Sequence, residues 1–438
     1  MNIVLLSGGS GKRLWPLSND VRSKQFIRFF KTDSGEYESM VQRVYRQIRR
    51  ADPTADVVFA APKSQVSSIH NQLGMDVGIS VEPCRRDTFP AIALAAAYLR
   101  SVRGVKEEES VVFCPVDPYV EDRYFQALAE LSKLAAGETA NLSLIGITPT
   151  YPSEKYGYII PKDANAVSGV LSFREKPDAR TAETYIRQGA LWNGGVFACK
   201  LAYLLRKTRE LTGISDYEGL LEDYESLPKI SFDYAVAEKE PSIQVLRYQG
   251  EWKDLGTWNT LTEAMDEACV GKAIVHDTCK NVHVINELDV PVLAMGLRDV
   301  VVSAGPEGIL VSDKERSSYI KPLVDGLDQQ IMYAEKSWGS YQVLDVGKES
   351  LTIKATLRAG HRMNYHSHER RDEVWVVTSG TGRTVVDGME QEVRAGDVIA
   401  IQAGCRHTVI ADTDLYLMEV QLGGEISADD KRKYPLER

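Results

Sequence analysis

Short apolar runs and amphipathic stretches alternate along the chain up to about residue 265. Ile3–Leu6, Val57–Ala60, Val111–Phe113 and Leu142–Ile145 are compact runs of the kind that form strands buried on both faces. Gln65–Leu73, Pro90–Arg100 and Tyr124–Ala136 repeat their apolar residues at helical spacing. Strand–helix alternation of this kind implies a mostly parallel sheet covered by helices. Its ligands would lie at the carboxyl ends of the strands, where the loop after Leu6 and Asp117 after Phe113 fall. The texture changes near Val270. Residues 271 to 325 carry brief β-like runs, among them Val282–Val284, Val292–Ala294, Val300–Val302 and Ile309–Val311, separated by Gly, Asp, Asn and Pro. They predict a small β module with a few coils of a solenoid. After a connection, everything from Trp338 onward reads as strands and tight turns, the pattern of a small barrel. The expected division is therefore 1–268 (α/β), 269–328 (β module and linker) and 329–438 (β-barrel).

Composition excludes several classes. The 438 residues exceed one ordinary core, and 43% hydrophobic with 26% charged residues suits a globular protein. A net charge of −10 argues against broad nucleic-acid or anionic-membrane binding, so any phosphate site must be a local basic pocket. Cys84, Cys114, Cys199, Cys269, Cys279 and Cys405 show no C-x-x-C and no regular spacing, as expected of reduced thiols rather than disulfides or a zinc site. The chain starts without a basic signal-like region, and no apolar stretch approaches the ~20 residues that span a bilayer. A cytoplasmic protein is expected.

Strand Ile3–Leu6 empties into Ser7-Gly8-Gly9-Ser10-Gly11-Lys12-Arg13. Glycines at 8, 9 and 11 let backbone N–H groups turn toward one point, and two cations follow, so the loop suits a polyphosphate. It is not a P-loop, because Arg13 stands where Ser or Thr belongs, and Leu14 replaces the third glycine of a dinucleotide fingerprint. With Trp15-Pro16-Leu17-Ser18 and Lys24-Gln25-Phe26, the segment resembles the signature of sugar-1-phosphate nucleotidyltransferases, and of mannose-1-phosphate guanylyltransferases in particular.

That resemblance continues in order along some 260 residues. Glu82-Pro83-Cys84-Arg85-Arg86-Asp87-Thr88 resembles the segment near the base, with Asp87 where Asn is usual; ionised Asp offers acceptors only, which suits guanine N1–H and N2–H. Tyr156-Gly157-Tyr158-Ile159, Phe173-Arg174-Glu175-Lys176-Pro177 and Trp192-Asn193-Gly194-Gly195 resemble the sugar-contacting segments. Ser231-Phe232-Asp233-Tyr234-Ala235-Val236 with Glu238-Lys239 resembles a further family run. The resemblance implies a Rossmann-like, GT-A-like mixed sheet in which Leu6, Gly8, Gly9, Ser10, Gly11, Lys12, Arg13, Glu82, Arg86, Asp87 and Thr88 bind the nucleotide. Tyr156, Gly157, Glu175, Lys176 and Asn193 would bind the sugar, with Arg13, Lys24 and Lys176 on the phosphates. Asp117, in Pro115-Val116-Asp117-Pro118, and Asp254, in Trp252-Lys253-Asp254-Leu255-Gly256, would hold magnesium together. Read without the family, an Asp at a strand end is more often a helix N-cap.

In the tail, Gly360, His366, His368, Glu373 and Gly380 fit the first cupin motif. Gly396, Gly404 and His407 fit the second, with Gln402 and Ala411 in place of its Pro and Asn. Alternation turns His366 and His368 to one face of a strand, into the barrel. Three imidazoles and a carboxylate suit Zn, Fe, Ni, Co or Mn; the alternative is histidines that merely stabilise a barrel. A cupin after a guanylyltransferase resembles the type II phosphomannose isomerase half of bifunctional enzymes. Their tighter His-x-His-Arg-x-Glu-His-Trp segment is here His366–Trp375, two residues longer and without the His before Trp, and Tyr434–Arg438 departs from their usual close.

The resemblance implies GTP plus mannose-1-phosphate giving GDP-mannose and pyrophosphate with Mg2+, in a protein that acts as a homodimer and binds neither nucleic acid nor membrane. Another hexose- or heptose-1-phosphate with a non-isomerase cupin remains open. So does a non-catalytic sugar-nucleotide sensor, although a sensor would be expected to have lost the loop or the aspartates.

Overall fold

The structure, a computed structural model, describes residues 1–9, 11–19, 21–328, 330–427 and 429–436; Ser10, Glu437 and Arg438 of the motifs above lie outside them. The chain forms two compact units. One comprises Met1–Gly9, Gln25–Val66 and Asp76–Asp266, the other Ser10–Lys24, Ser67–Met75 and Glu267–Arg438. Among the described residues no helix is long and apolar enough to cross a membrane.

The first unit is built on a nine-stranded sheet. Strand Asn2–Leu6 runs parallel between Asp56–Pro62 and Ser110–Pro115, and Gly78–Glu82 extends the sheet in parallel. Beyond Ser110–Pro115 the sense changes: Leu191–Lys200 is antiparallel to it and to Leu142–Ile147. Ile243–Tyr248 is parallel to Leu142–Ile147, and the hairpin Tyr158–Pro161/Val167–Arg174 closes that edge in antiparallel fashion. The sheet is thus mixed rather than mostly parallel. The hairpin needs only a short turn, whereas parallel pairs require crossover helices. Ile3, Val4, Leu5, Val112 and Phe113 are fully buried, which is why these strands are continuous apolar runs. Helix Thr88–Ser101 is buried almost all round from Phe89 to Ala97, matching its near-absence of polar residues.

In the second unit, Cys269–Gly271, His283–Asn286 and Val300–Gly305 stack in parallel, and Ala273–Val275 pairs in parallel with Val292–Ala294. Successive coils pairing in register are the solenoid geometry the punctuated β runs predicted. The same unit contains a barrel of two antiparallel sheets, six- and five-stranded, around a core that includes Leu357, Trp375, Val409 and Leu417.

Candidate functional site

In the first unit a cleft of about 440 Å³ opens where strands end. Leu6, Pro62, Glu82 and Pro115, the last residues of four neighbouring strands, line it with Gly8, Gly9, Arg86, Asp87, Thr88 and Asp117. Carboxyl ends of strands at a change of sheet direction are where open α/β sheets bind ligands.

Neither metal-candidate aspartate caps a helix. Asp117 is followed by the strand Pro118–Val120, and the helix after Asp254 is capped by Thr257 through a capping box. Instead, Trp252–Asp254 pairs antiparallel with Pro118–Val120 in a register that sets Asp254 across from Pro118, the neighbour of Asp117. A two-stranded ribbon therefore brings the backbones of two residues 137 positions apart in the chain (254 − 117) close to one another. Burial and the charge of Asp254 hold the Tyr156 phenol well above its usual range, and the Tyr156 ring packs tilted against Trp192 and edge-on to Trp252.

The remaining sugar candidates join the same wall. Asn193 donates its backbone N–H to Gly157 O at 2.8 Å, and its Nδ2 donates to Asp233 Oδ1 at 2.7 Å. A Cβ on Gly157 would meet the Glu175 carboxylate and lie 3.3 Å from Asn193 Cβ, so glycine lets these three approach without displacing Glu175. Lys176 Nζ pairs with Glu175 at 2.7 Å, from a backbone with φ of 47°, a conformation a lysine rarely holds. On the base side, Asp87 has φ of 71° and Oδ1 accepts from Thr88 N at 2.7 Å. Glu82 accepts from the Tyr224 hydroxyl at 3.0 Å, and burial pushes its carboxyl up to about 7.

The signature loop beyond Ser10 belongs to the second unit. Gly11 has φ of 62° and would place a Cβ 2.7 Å from Lys24 N, which demands glycine. Lys12 is held by Asp325 at 3.2 Å; Arg13 is exposed on the turn Lys12–Leu14. The loop's far end is anchored firmly: Arg22 makes a two-pronged ion pair with Glu287 at 2.7 and 2.8 Å, and Asn19 donates to Glu307 at 2.7 Å.

In the barrel, His366, His368 and His407 bring ligand nitrogens within 4.8 Å of one another. Each points Nδ1 at a backbone carbonyl, respectively of Asn364, Asp430 and Cys405. Such bonds fix the Nδ1–H tautomer and leave every Nε2 with a lone pair. Glu373 lies 3.2 Å from His368 Nε2 and 3.3 Å from His407 Nε2. His407 Nε2 is buried and makes no hydrogen bond among the described residues. A lone pair facing a carboxylate calls for a cation between them, so the donor set fits a transition metal. Burial drives two of the imidazoles neutral, His366 down to about 2 and His368 to about 4.

Residues 2–270 match the family model described as Nucleotidyl transferase. This chain belongs to that family. Residues 327–435 of the transferase match the model described as Mannose-6-phosphate isomerase C-terminal. The alginate biosynthesis protein AlgA of Pseudomonas aeruginosa is 30% identical, with 98% of this chain and 95% of that protein covered. The mannose-1-phosphate guanylyltransferase of Escherichia coli K12 is 28% identical, covering 98% and 96%. A solved structure, described as a mannose-1-phosphate geranyltransferase from Thermus thermophilus, superposes with a TM-score of 0.63 at 28% identity. It covers 75% of this chain and 99% of that one.

Sequence reasoning missed several groups in the transferase. Arg85, Lys229 and Asp233 also line the cleft, and Asp233 belongs to a family-like run whose spacing assigns it no role. In the barrel, Arg371 donates to His368 Nε2 at 2.9 Å and to Glu373 at 3.1 Å. Lys336, Glu419 and Lys431 line the same cavity of about 410 Å³. Glu419 is signalled only by alternation with Gln421 on an inward-facing strand, a pattern too short to read alone.

Proposed function

We propose that the transferase moves a guanylyl group from GTP to mannose-1-phosphate, releasing pyrophosphate, within residues 1–268, and that 269–328 and 329–438 form the β module with its linker and a metal-binding cupin. The observation that supports this reading is the register of Trp252–Asp254 against Pro118–Val120, which sets Asp254 across from Pro118, next in the chain to the cleft residue Asp117. Asp117 and Asp254 would hold magnesium, which supplies charge neutralisation at the phosphates. No covalent intermediate is required, so catalysis is positioning and electrostatics. Gly8 and Gly9 offer backbone N–H groups to the triphosphate. Lys176 leaves Glu175 to hold the acceptor phosphate against the α-phosphorus. Glu82, Arg86, Asp87 and Thr88 face the guanine, and Tyr156, Gly157, Glu175 and Asn193 the sugar.

The barrel carries a second reading. His366, His368, Glu373 and His407 would hold one divalent transition metal. A phosphomannose isomerase activity beside it is favoured by the cavity's lining, in which Glu419, Lys431 and Arg371 join His366, His368 and Glu373. A matrix of nucleoside triphosphates against sugar-1-phosphates, scored by pyrophosphate release, tests the transfer. GTP with mannose-1-phosphate should lead by at least tenfold; equal use of ATP or CTP would remove the guanine assignment. A coupled assay from fructose-6-phosphate, with added zinc, cobalt or manganese, tests the barrel.

A further inference from the structure

The geometry points to Asp233 as the group that selects the sugar ring in the transferase cleft, one oxygen fixing Asn193 while the carboxyl meets a ring hydroxyl of the acceptor. This rests on the proposed transfer to a sugar-1-phosphate and adds which residue reads the sugar.

Three observations converge on it. First, Asp233 lines the same cleft as Asp117, Gly8 and Gly9, yet none of the proposed steps uses it. Second, its position is fixed from both sides. The short helix Phe232–Ala235 is capped by Ser231, whose Oγ accepts from Tyr234 N at 3.3 Å. Phe232 packs on Phe197 at 4.6 Å between ring centres, and its N–H donates to Thr88 Oγ1 at 2.8 Å. The segment bearing Asp233 is thus bonded directly to the segment proposed to face the base. Third, Asn193 has no freedom to turn. Its Oδ1 accepts from Gly195 N at 3.1 Å and its Nδ2 donates to Asp233 at 2.7 Å. One carboxylate therefore orients the amide and leaves it a single N–H for a ligand.

The charges around Asp233 sharpen the point. Glu175 and Asp233 are neighbouring carboxyls served by one ammonium, Lys176, which is bonded to Glu175. Burial, and then the charge of Glu175, push the Asp233 carboxyl up to about 7. When Lys176 turns to the acceptor phosphate, both carboxyls lose their counter-charge and need hydroxyl donors. A hexose ring presents these in a pattern that differs between epimers. An epimer whose hydroxyl points away leaves the second oxygen of this half-buried carboxyl without a donor, the situation in which polar sites discriminate most strongly.

The test compares the full chain with Asp233→Asn and Asp233→Ala at pH 8.5, where the carboxyl is ionised, using mannose-, glucose- and galactose-1-phosphate with GTP. The wild type should favour one epimer. Asp233→Asn keeps an acceptor for Asn193 Nδ2, so the fold and the KM for GTP should stay within twofold of wild type. Its epimer preference in kcat/KM should nevertheless fall at least tenfold, and the KM for the preferred sugar phosphate should rise by a similar factor. Asp233→Ala should show both losses together with a lower kcat, because Asn193 is released as well. Should the alanine variant fail to fold, the Asn variant decides. Unchanged epimer preference in Asp233→Asn would overturn the assignment while leaving the transfer reaction standing. A wild type inactive with every sugar phosphate would instead overturn the transfer reading, and this inference with it.

Discussion

The transferase cleft and the barrel cavity are close in volume, about 440 and 410 Å³, but they are built on opposite principles. The cleft gathers its residues from Leu6 to Asp233, on strand ends, loops and a short helix, and leaves Asp87 and Lys229 exposed. The barrel set spans only His366 to His407, and none of its four ligand candidates is more than 3% exposed. In the barrel, backbone carbonyls fix each imidazole before any ion arrives; among the sugar candidates of the first unit, charged groups hold one another, as Lys176 holds Glu175. A small ion can displace little, so its site must be preformed and dry. Two bulky anionic substrates bring their own charge and exclude water themselves, so their cleft must stay open and exchange partners.

The largest effect is expected from removing the ribbon carboxylate Asp254. Asp254→Ala should cut guanylyl transfer by about 10³-fold, ~4 kcal/mol of transition-state stabilisation, while circular dichroism and the barrel's metal content stay unchanged. Near-wild-type turnover at saturating magnesium would sink the paired-aspartate assignment.

The next effect separates the sites by pH. Glu82 is 5% exposed and raised from 4.5 to about 7 by burial. The folded state therefore binds its proton more tightly than the unfolded one. That stabilisation is fully present below pH 4.5 and is lost as pH rises through about 7, a difference of about 3 kcal/mol. Denaturant titration of wild type against Glu82→Gln at pH 5, 7 and 8.5 checks it. The glutamine variant should show the shallower decline; parallel curves would contradict the assignment.

The smallest of the three sharpens the barrel side. His368→Ala should weaken the transition metal by about 100-fold, or ~2.7 kcal/mol, as measured by competition with a chelating dye, and leave guanylyl transfer within twofold. Retention of a full equivalent of metal would show that His368 is not a ligand.

Much of this is legible in the sequence because the determinants are local. The strand Ile3–Leu6 and the helix read at Pro90–Arg100, observed as Thr88–Ser101, declare themselves as apolar runs, and the coils of the β module by their punctuation. His366 and His368 share a face by simple alternation, and His407 stands opposite His366 in the ladder. Gly11 and Gly157 are readable as glycines, but not why glycine is required: the crowding atoms, Lys24 N and the Glu175 carboxylate, come from other segments. Alternation of strands and helices by itself reads the half of the main sheet after Ser110–Pro115 as parallel, since an apolar run carries no information about the direction of its neighbour.

By itself, then, the sequence determined the order of elements, the glycine-rich loop with its cations, and the two chemistries, phosphate transfer and metal ligation. Those depend on residue type and short spacing. Only the tertiary structure decided which distant residues meet. It paired Asp254 with the neighbour of Asp117 and set Asp233 on Asn193. It also aimed Arg371 at His368 and closed Glu419 into a cavity where its carboxyl holds a proton near neutrality. Contact between residues far apart in the chain is fixed by strand register and core packing, and the protonation of a buried group by what surrounds it; neither is written in any single segment.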